Sequence, residues 1–238
     1  MYVCESTTKH VAAQPPGGNT QKWAGSRQNM YAVKELFKSL QGEGGNTGRT
    51  AMFCRFSGCN LWSGREEDRA SAACRICDTD FTGTDGPGGG SFADAPALAD
   101  RLAALWGAGL SRRFVVFTGG EPLLQLDPAL VAACHNHSFE LAIETNGTRP
   151  PPSGIDWVCV SPKSEASWTH RSGDELKLVY PHPELDPARL LDLPFRLFWL
   201  QPVDGPDREA NIAAAADYCL SHPGWRLSLQ THKMIGLP

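Results

Sequence analysis

The chain has 238 residues, 41% of them hydrophobic and 20% charged, and a formal net charge of −4. That composition supplies a sizeable core for one larger domain and argues against disorder of the body. It has no long Lys/Arg run, no apolar stretch near the roughly 18 residues of a membrane span, and no apolar amino-terminal core, which speaks against direct nucleic-acid binding, a membrane anchor and a signal peptide.

In chain order, residues 1–29 are polar, rich in Gly, Pro, Gln and Thr, and lack apolar periodicity; they read as a disordered leader or an expression remnant, with Cys4 irrelevant. One ordered domain is expected over 30–238. Two strands, YAVKELF and AMFCRF, flank the loop SLQGEGGNTGRT. A cysteine-bearing loop over 57–80 follows, then the connection TGTDGPGGG, whose glycines predict an exposed, mobile segment. Beyond a helix over 94–106 the pattern alternates. Strands are predicted at RFVVFTGG, ELAIETNG, DWVCVSP, ELKLVY, RLFWLQP and RLSLQTHK, with helices over 128–135, 187–191 and 208–221. This is the rhythm of βα units around a parallel sheet, whose strand carboxyl ends form the usual ligand site.

The eight cysteines lack a secretory signal, which suits a reducing, cytoplasmic setting where clustered thiols bind metal more often than they form disulfides. Cys59, Cys74 and Cys77 form C-x14-C-x2-C in one loop. Three thiolates can hold three irons of a four-iron cluster and leave the fourth open to an outside ligand. A zinc site is the alternative, needing a fourth Cys or His that this loop lacks, although a distant His could serve. Cys54, Cys134, Cys159 and Cys219 fall in apolar elements and read as buried hydrophobes. Gly119 to Pro122 spell GGEP after the strand FVVF, where glycines let backbone approach a ligand and the glutamate adds an acceptor; an ordinary turn would look the same.

The three-cysteine loop followed by GGEP resembles the radical S-adenosylmethionine superfamily. The resemblance implies an incomplete, open TIM-like βα barrel in one domain, since about 210 residues are few for eight full units. It also implies a 4Fe-4S cluster whose open iron is chelated by S-adenosylmethionine, with the methionyl amine read by backbone at Gly119 and Gly120. The radical comes from the cofactor, so no side chain is expected to serve as acid or base. The enlarged first gap, with SLQGEG, CDTDF, TGGEPLLQ, ETNGT and SPK, is similar to the 7-carboxy-7-deazaguanine synthase family.

That similarity implies ring contraction of 6-carboxy-5,6,7,8-tetrahydropterin to 7-carboxy-7-deazaguanine with loss of ammonia, on the route to queuosine. It places Mg²⁺ on Thr79, and the substrate at Leu40, Gln41, Gly42, Glu43, Arg55, Thr118, His232 and the Pro238 carboxylate. S-adenosylmethionine is expected at Arg75, Ile76, Asp78, Ser161, Pro162, Lys163, Gln201, Pro202, Val203 and Asp204. Glu144 and Asn146, two residues apart on one strand and so on one face, are expected at the ribose. A homodimer and an external flavodoxin- or ferredoxin-type electron donor are implied too. Two other readings stay open: a radical activase of a partner protein, and a non-enzymatic zinc module.

Overall fold

A computed structural model describes residues 30–238; the leader expected over 1–29, with Cys4, lies outside the described residues. The described strands are β1 (Tyr31–Leu40), β2 (Thr50–Phe56), β3 (Gly90–Phe92), β4 (Phe114–Gly119), β5 (Glu140–Thr145), β6 (Trp157–Val160), β7 (Gly173–Tyr180), β8 (Phe195–Pro202) and β9 (Arg226–Leu227). They form one sheet in the order β3-β1-β2-β4-β5-β6-β7-β8-β9. β1 is antiparallel to β2 and β3, and from β2 onward every pairing is parallel. The sheet has two free ends among the described residues, so the barrel is open, as the chain length predicts.

Alternation sorts each strand into two faces. Outward residues such as Met52, Cys54, Val115, Phe117, Leu141 and Ile143 pack with α1 (Ala95–Trp106) and α2 (Pro128–Asn136). A second cluster joins Val160, Leu176, Leu178 and Leu200 to Ala215 of α3 (Arg208–Ser221). Full burial of a leucine such as Leu98, Leu102 or Leu130 contributes about 1.5–3 kcal/mol. Asp94 and Asp127 start α1 and α2 by accepting from Ala97 N and Leu130 N, each at 2.9 Å, ahead of a proline in the first turn. Tyr31 anchors β1 to the same cap, donating to Asp127 at 2.8 Å.

Three local expectations are corrected. The segment 82–90 is not a free loop: Leu36 N donates to Pro87 O at 2.8 Å and Gly86 N to Lys34 O at 2.9 Å, and the chain then pairs with β1 as β3. Its glycines permit that close backbone approach, because a Cβ at Gly89 would run into the Lys34 carbonyl. The strand expected over 226–233 ends at Leu227, and Thr231–Met234 form a helical turn, α4, whose Thr231 amide donates to Gly42 O at 3.0 Å. The helix expected over 187–191 is a single 3₁₀ turn, Pro187–Arg189.

Candidate active site

The cysteine loop is a small folded unit. The Arg69 guanidinium lies 4.1 Å from the Trp62 ring centre and donates to the carbonyls of Arg75 and Cys77, both at 3.1 Å. Trp62 meets Phe81 edge to face at 5.6 Å. The residues inserted between Cys59 and Cys74 thus bring the third cysteine back beside the other two. Leu61 bridges the gap, its amide donating to Cys59 Sγ at 3.4 Å and its carbonyl accepting from Cys74 N at 3.2 Å.

Cys74 is buried and shares a hydrogen bond with the Cys77 thiol, which lowers Cys74 and pushes Cys77 up. Burial raises Cys59. Lys163, held by Ser161 Oγ at 2.7 Å, favours the thiolates of Cys74 and Cys77. A cubane takes each thiolate on a separate iron, so three cysteines grouped in one corner fit that donor set.

The GGEP corner packs directly against this unit. Gly119 has φ +134, and a Cβ there would enter the Phe56 backbone; one at Gly120 would meet Gly58 and come within 2.7 Å of Cys59 Cβ. Glu121 is fully buried and fully engaged: it accepts from Leu123 N at 2.9 Å, Thr145 Oγ1 at 2.7 Å and Asn146 N at 2.8 Å. The acceptor expected to face a ligand instead ties the β4 corner to the β5 corner. Burial raises its carboxyl despite these donors.

Because β1 runs against the parallel strands, the loop after it starts at their amino ends and turns into the barrel. Gly45 N donates to Glu175 at 2.7 Å and Gln41 Nε2 to Glu144 at 2.8 Å. The Lys177 ammonium, on the inner face of β7, sits between Glu144, at 2.8 Å, and Glu43. Its side chain is only 5% exposed, so the two carboxylates are what hold its charge in the interior. Burial opposes both charges, yet pairing with Lys177 holds Glu43 below its ordinary range and the pair of carboxylates pushes Lys177 well above its own.

The tail closes this cluster from the other side. Gln230 donates to Glu43 at 3.0 Å, and Gly44 N to Ser228 Oγ at 2.9 Å. A Cβ at Gly42 would occupy the His232 ring, so that glycine is what allows the ring in. Burial lowers the His232 imidazole. Ser39 Oγ donates to Pro238 O at 2.9 Å, beside the end of β1 at Leu40.

The other expected residues fall around the same concave face. Arg55 and Thr118 are register partners on β2 and β4, and Arg55 Nε donates to Glu35 at 2.7 Å. Glu144 and Asn146 take different partners. β5 ends at Thr145, so Glu144 faces Lys177 while Asn146 turns to Asn60, its Nδ2 donating at 3.0 Å next to Cys59. Ser161, Pro162 and Lys163 follow β6, with Ser161 N donating to Thr145 O at 2.7 Å. Gln201 and Pro202 end β8; Val203 N donates to Tyr180 O at 2.9 Å, and Asp204 follows. Arg75 and Ile76 meet Lys163 across a pocket of about 430 Å³. Asp78 and Thr79 are adjacent, with 3.4 Å between Thr79 Oγ1 and Asp78 Oδ1.

Lys177, Gln230, Lys233, Asn60 and Glu175 were not foreseen. The run ELKLVY held a signal for two of them, since charges at alternating positions of a strand between parallel neighbours must face a polar interior.

Comparison with known proteins bears on the whole arrangement. No protein-family model matches the chain. The chain is 64% identical over 208 residues to 7-carboxy-7-deazaguanine synthase of Bordetella pertussis, covering 87% of this chain and 99% of that one. It is 60% identical over the same coverage to the Caulobacter vibrioides protein of that name, and 39% identical to the one from Bacteroides thetaiotaomicron. The crystal structure of QueE from Escherichia coli superposes with a TM-score of 0.58 at 25% identity, over 84% of this chain and 93% of that one. With an open barrel, a three-cysteine corner and relatives matched along nearly their entire length, the chain belongs to the 7-carboxy-7-deazaguanine synthase family.

Proposed function

We propose that the chain converts 6-carboxy-5,6,7,8-tetrahydropterin to 7-carboxy-7-deazaguanine with loss of ammonia, as a radical S-adenosylmethionine lyase. The observation that carries the reading is the placement of the cysteine corner and the Glu43–Lys177–Glu144 cluster on one concave face, closed by the tail. Cys59, Cys74 and Cys77 would hold the 4Fe-4S cluster, and the backbone of Gly119 and Gly120 would receive the methionyl amine beside it. When bound, cluster and S-adenosylmethionine supply a 5′-deoxyadenosyl radical.

The rest falls to the protein's own groups. Glu43 suits the amino-bearing edge of the pterin, since a carboxylate held ionised accepts from paired N–H donors. Arg55 is the partner for the substrate carboxylate: Glu35 takes one hydrogen bond from its Nε, and the remaining guanidinium N–H groups can meet carboxylate oxygens. Thr118 stands next to it in the sheet. His232, held neutral by burial, can donate one hydrogen bond and accept another. Thr79 would supply one oxygen to a Mg²⁺ whose remaining ligands are substrate and water, the usual incomplete protein shell of that ion. The loop and tail exclude water from the face where a radical would otherwise be quenched.

Three further parts of the reading concern the setting: an external flavodoxin- or ferredoxin-type donor, a homodimer, and the cytoplasm. Among the described residues no helix is long and apolar enough to cross a membrane. The test is turnover. Protein reconstituted without oxygen and given reductant, S-adenosylmethionine and Mg²⁺ should deplete the carboxytetrahydropterin and release ammonia; a cluster-loaded sample that leaves it untouched overturns the assignment.

A further inference from the structure

Beside the groups given a role above, the tail carries Lys233, whose ammonium donates to Asp78 Oδ2 at 2.9 Å and to Asp204 Oδ2 at 2.6 Å. Asp78 follows Cys77 in the loop after β2, and Asp204 lies at the corner after β8. Those strands lie five places apart in a sheet that does not close, so one ammonium links two corners that no strand pairing joins. Gln230, in the same segment, reaches both Glu43 at 3.0 Å and Asp78 at 3.5 Å, and His232, next to Lys233, sits on Gly42.

The geometry points to Lys233 as a positioning residue: its ammonium straps the tail across the open barrel, so that the cluster loop and the Glu43–His232 side of the pocket are set in place by one contact. This rests on the deazaguanine synthase reading of the same site. The three side chains are 27–44% exposed, so the strap adds little to global stability. Its effect is local. Without the cation, Asp78 and Asp204 face each other with only Arg208, 3.5 Å from Asp204, to offset their repulsion, and the tail keeps Gln230 and Thr231 on the Glu43 side but loses its contact with the β8 corner.

The test compares Lys233→Met and Lys233→Arg with the parent protein in three readouts: hydrogen exchange over 228–238, KM for the carboxytetrahydropterin, and 5′-deoxyadenosine formed per product. Lys233→Met should speed tail exchange and raise the pterin KM each by up to about fivefold, the size of one exposed pairing of about 1 kcal/mol. It should also raise the yield of deoxyadenosine without product, while iron content stays at the parent level. Lys233→Arg, whose fork can meet both carboxylates, should restore all three. Parent-like tail exchange or parent-like pterin KM in Lys233→Met overturns the proposal. Should that variant lose iron, Asp204→Asn removes the far anchor instead and must show the same exchange and KM changes, or the proposal falls. If the parent binds S-adenosylmethionine but does not turn over the pterin, the substrate reading fails by itself, and tail exchange in Lys233→Met still decides for or against the strap.

Discussion

The cysteine corner and the Glu43–Lys177–Glu144 cluster lie on the same concave face but are built in opposite ways. The corner is one stretch of chain, residues 57–81, folded on itself by Arg69, Trp62 and Phe81. The cluster draws on the loop after β1, on β5, on β7 and on the tail, with 134 residues between Lys177 and Glu43. A self-contained corner can deliver reactive chemistry wherever a strand ends, whereas the cluster exists only in the completed barrel. The corner should therefore fail by losing its metal, and the cluster by losing the fold around it.

Cys74→Ala gives the largest contrast: iron content and turnover should vanish together while the chain stays folded, measured by iron analysis, visible absorbance and far-UV circular dichroism. Iron retained at the parent level would remove Cys74 from the ligand set. Lys177→Met should do the reverse. It strands Glu43 and Glu144 in the interior, a loss of about 3–5 kcal/mol for breaking a buried pair, read as a lower midpoint in urea. A midpoint within error of the parent would mean that the cluster carries no folding energy.

Acid should sharpen the difference further. Glu43 is held below its ordinary value, so its contribution is present above about pH 4.3 and is lost as pH falls through the lowered value. Lys177, held above its ordinary value, loses its contribution only as pH rises through the raised one. Urea midpoints between pH 3 and 7 should show an acid limb that Glu43→Gln flattens; an unchanged limb would place its origin elsewhere. The smallest effect belongs to Thr79→Ala, a higher Mg²⁺ requirement with turnover restored at excess metal, and an identical metal titration would take Thr79 out of the site.

The same contrast decides what could be read in the sequence. Cys59, Cys74 and Cys77 declare themselves by spacing, and GGEP by its position after an apolar run, because these relations are local. The caps of α1 and α2 were legible for the same reason: an aspartate and a proline mark each start. Lys177 was legible only as an inward charge in ELKLVY; its role has meaning once Glu43 and Glu144 arrive from distant segments. Asn146 lies one residue beyond the end of β5, where alternation no longer fixes the direction of a side chain. The tail was read as a strand from RLSLQTHK, whose alternation is genuine; past Ser228 its polar groups bond to the loop at Gly42 and to Glu43 rather than to a strand neighbour.

The reversed direction of β1 has a wider bearing. It sends a loop into a space that a closed barrel would pack with layers of side chains, so the lining opposite the cysteine corner is made partly of exchangeable backbone. On the proposed reading, radical generation and recognition of the ring would be separate modules in one small domain: a different insertion at 41–48, with a matching carboxyl-terminal segment, would present the same reactive species to a differently shaped guest.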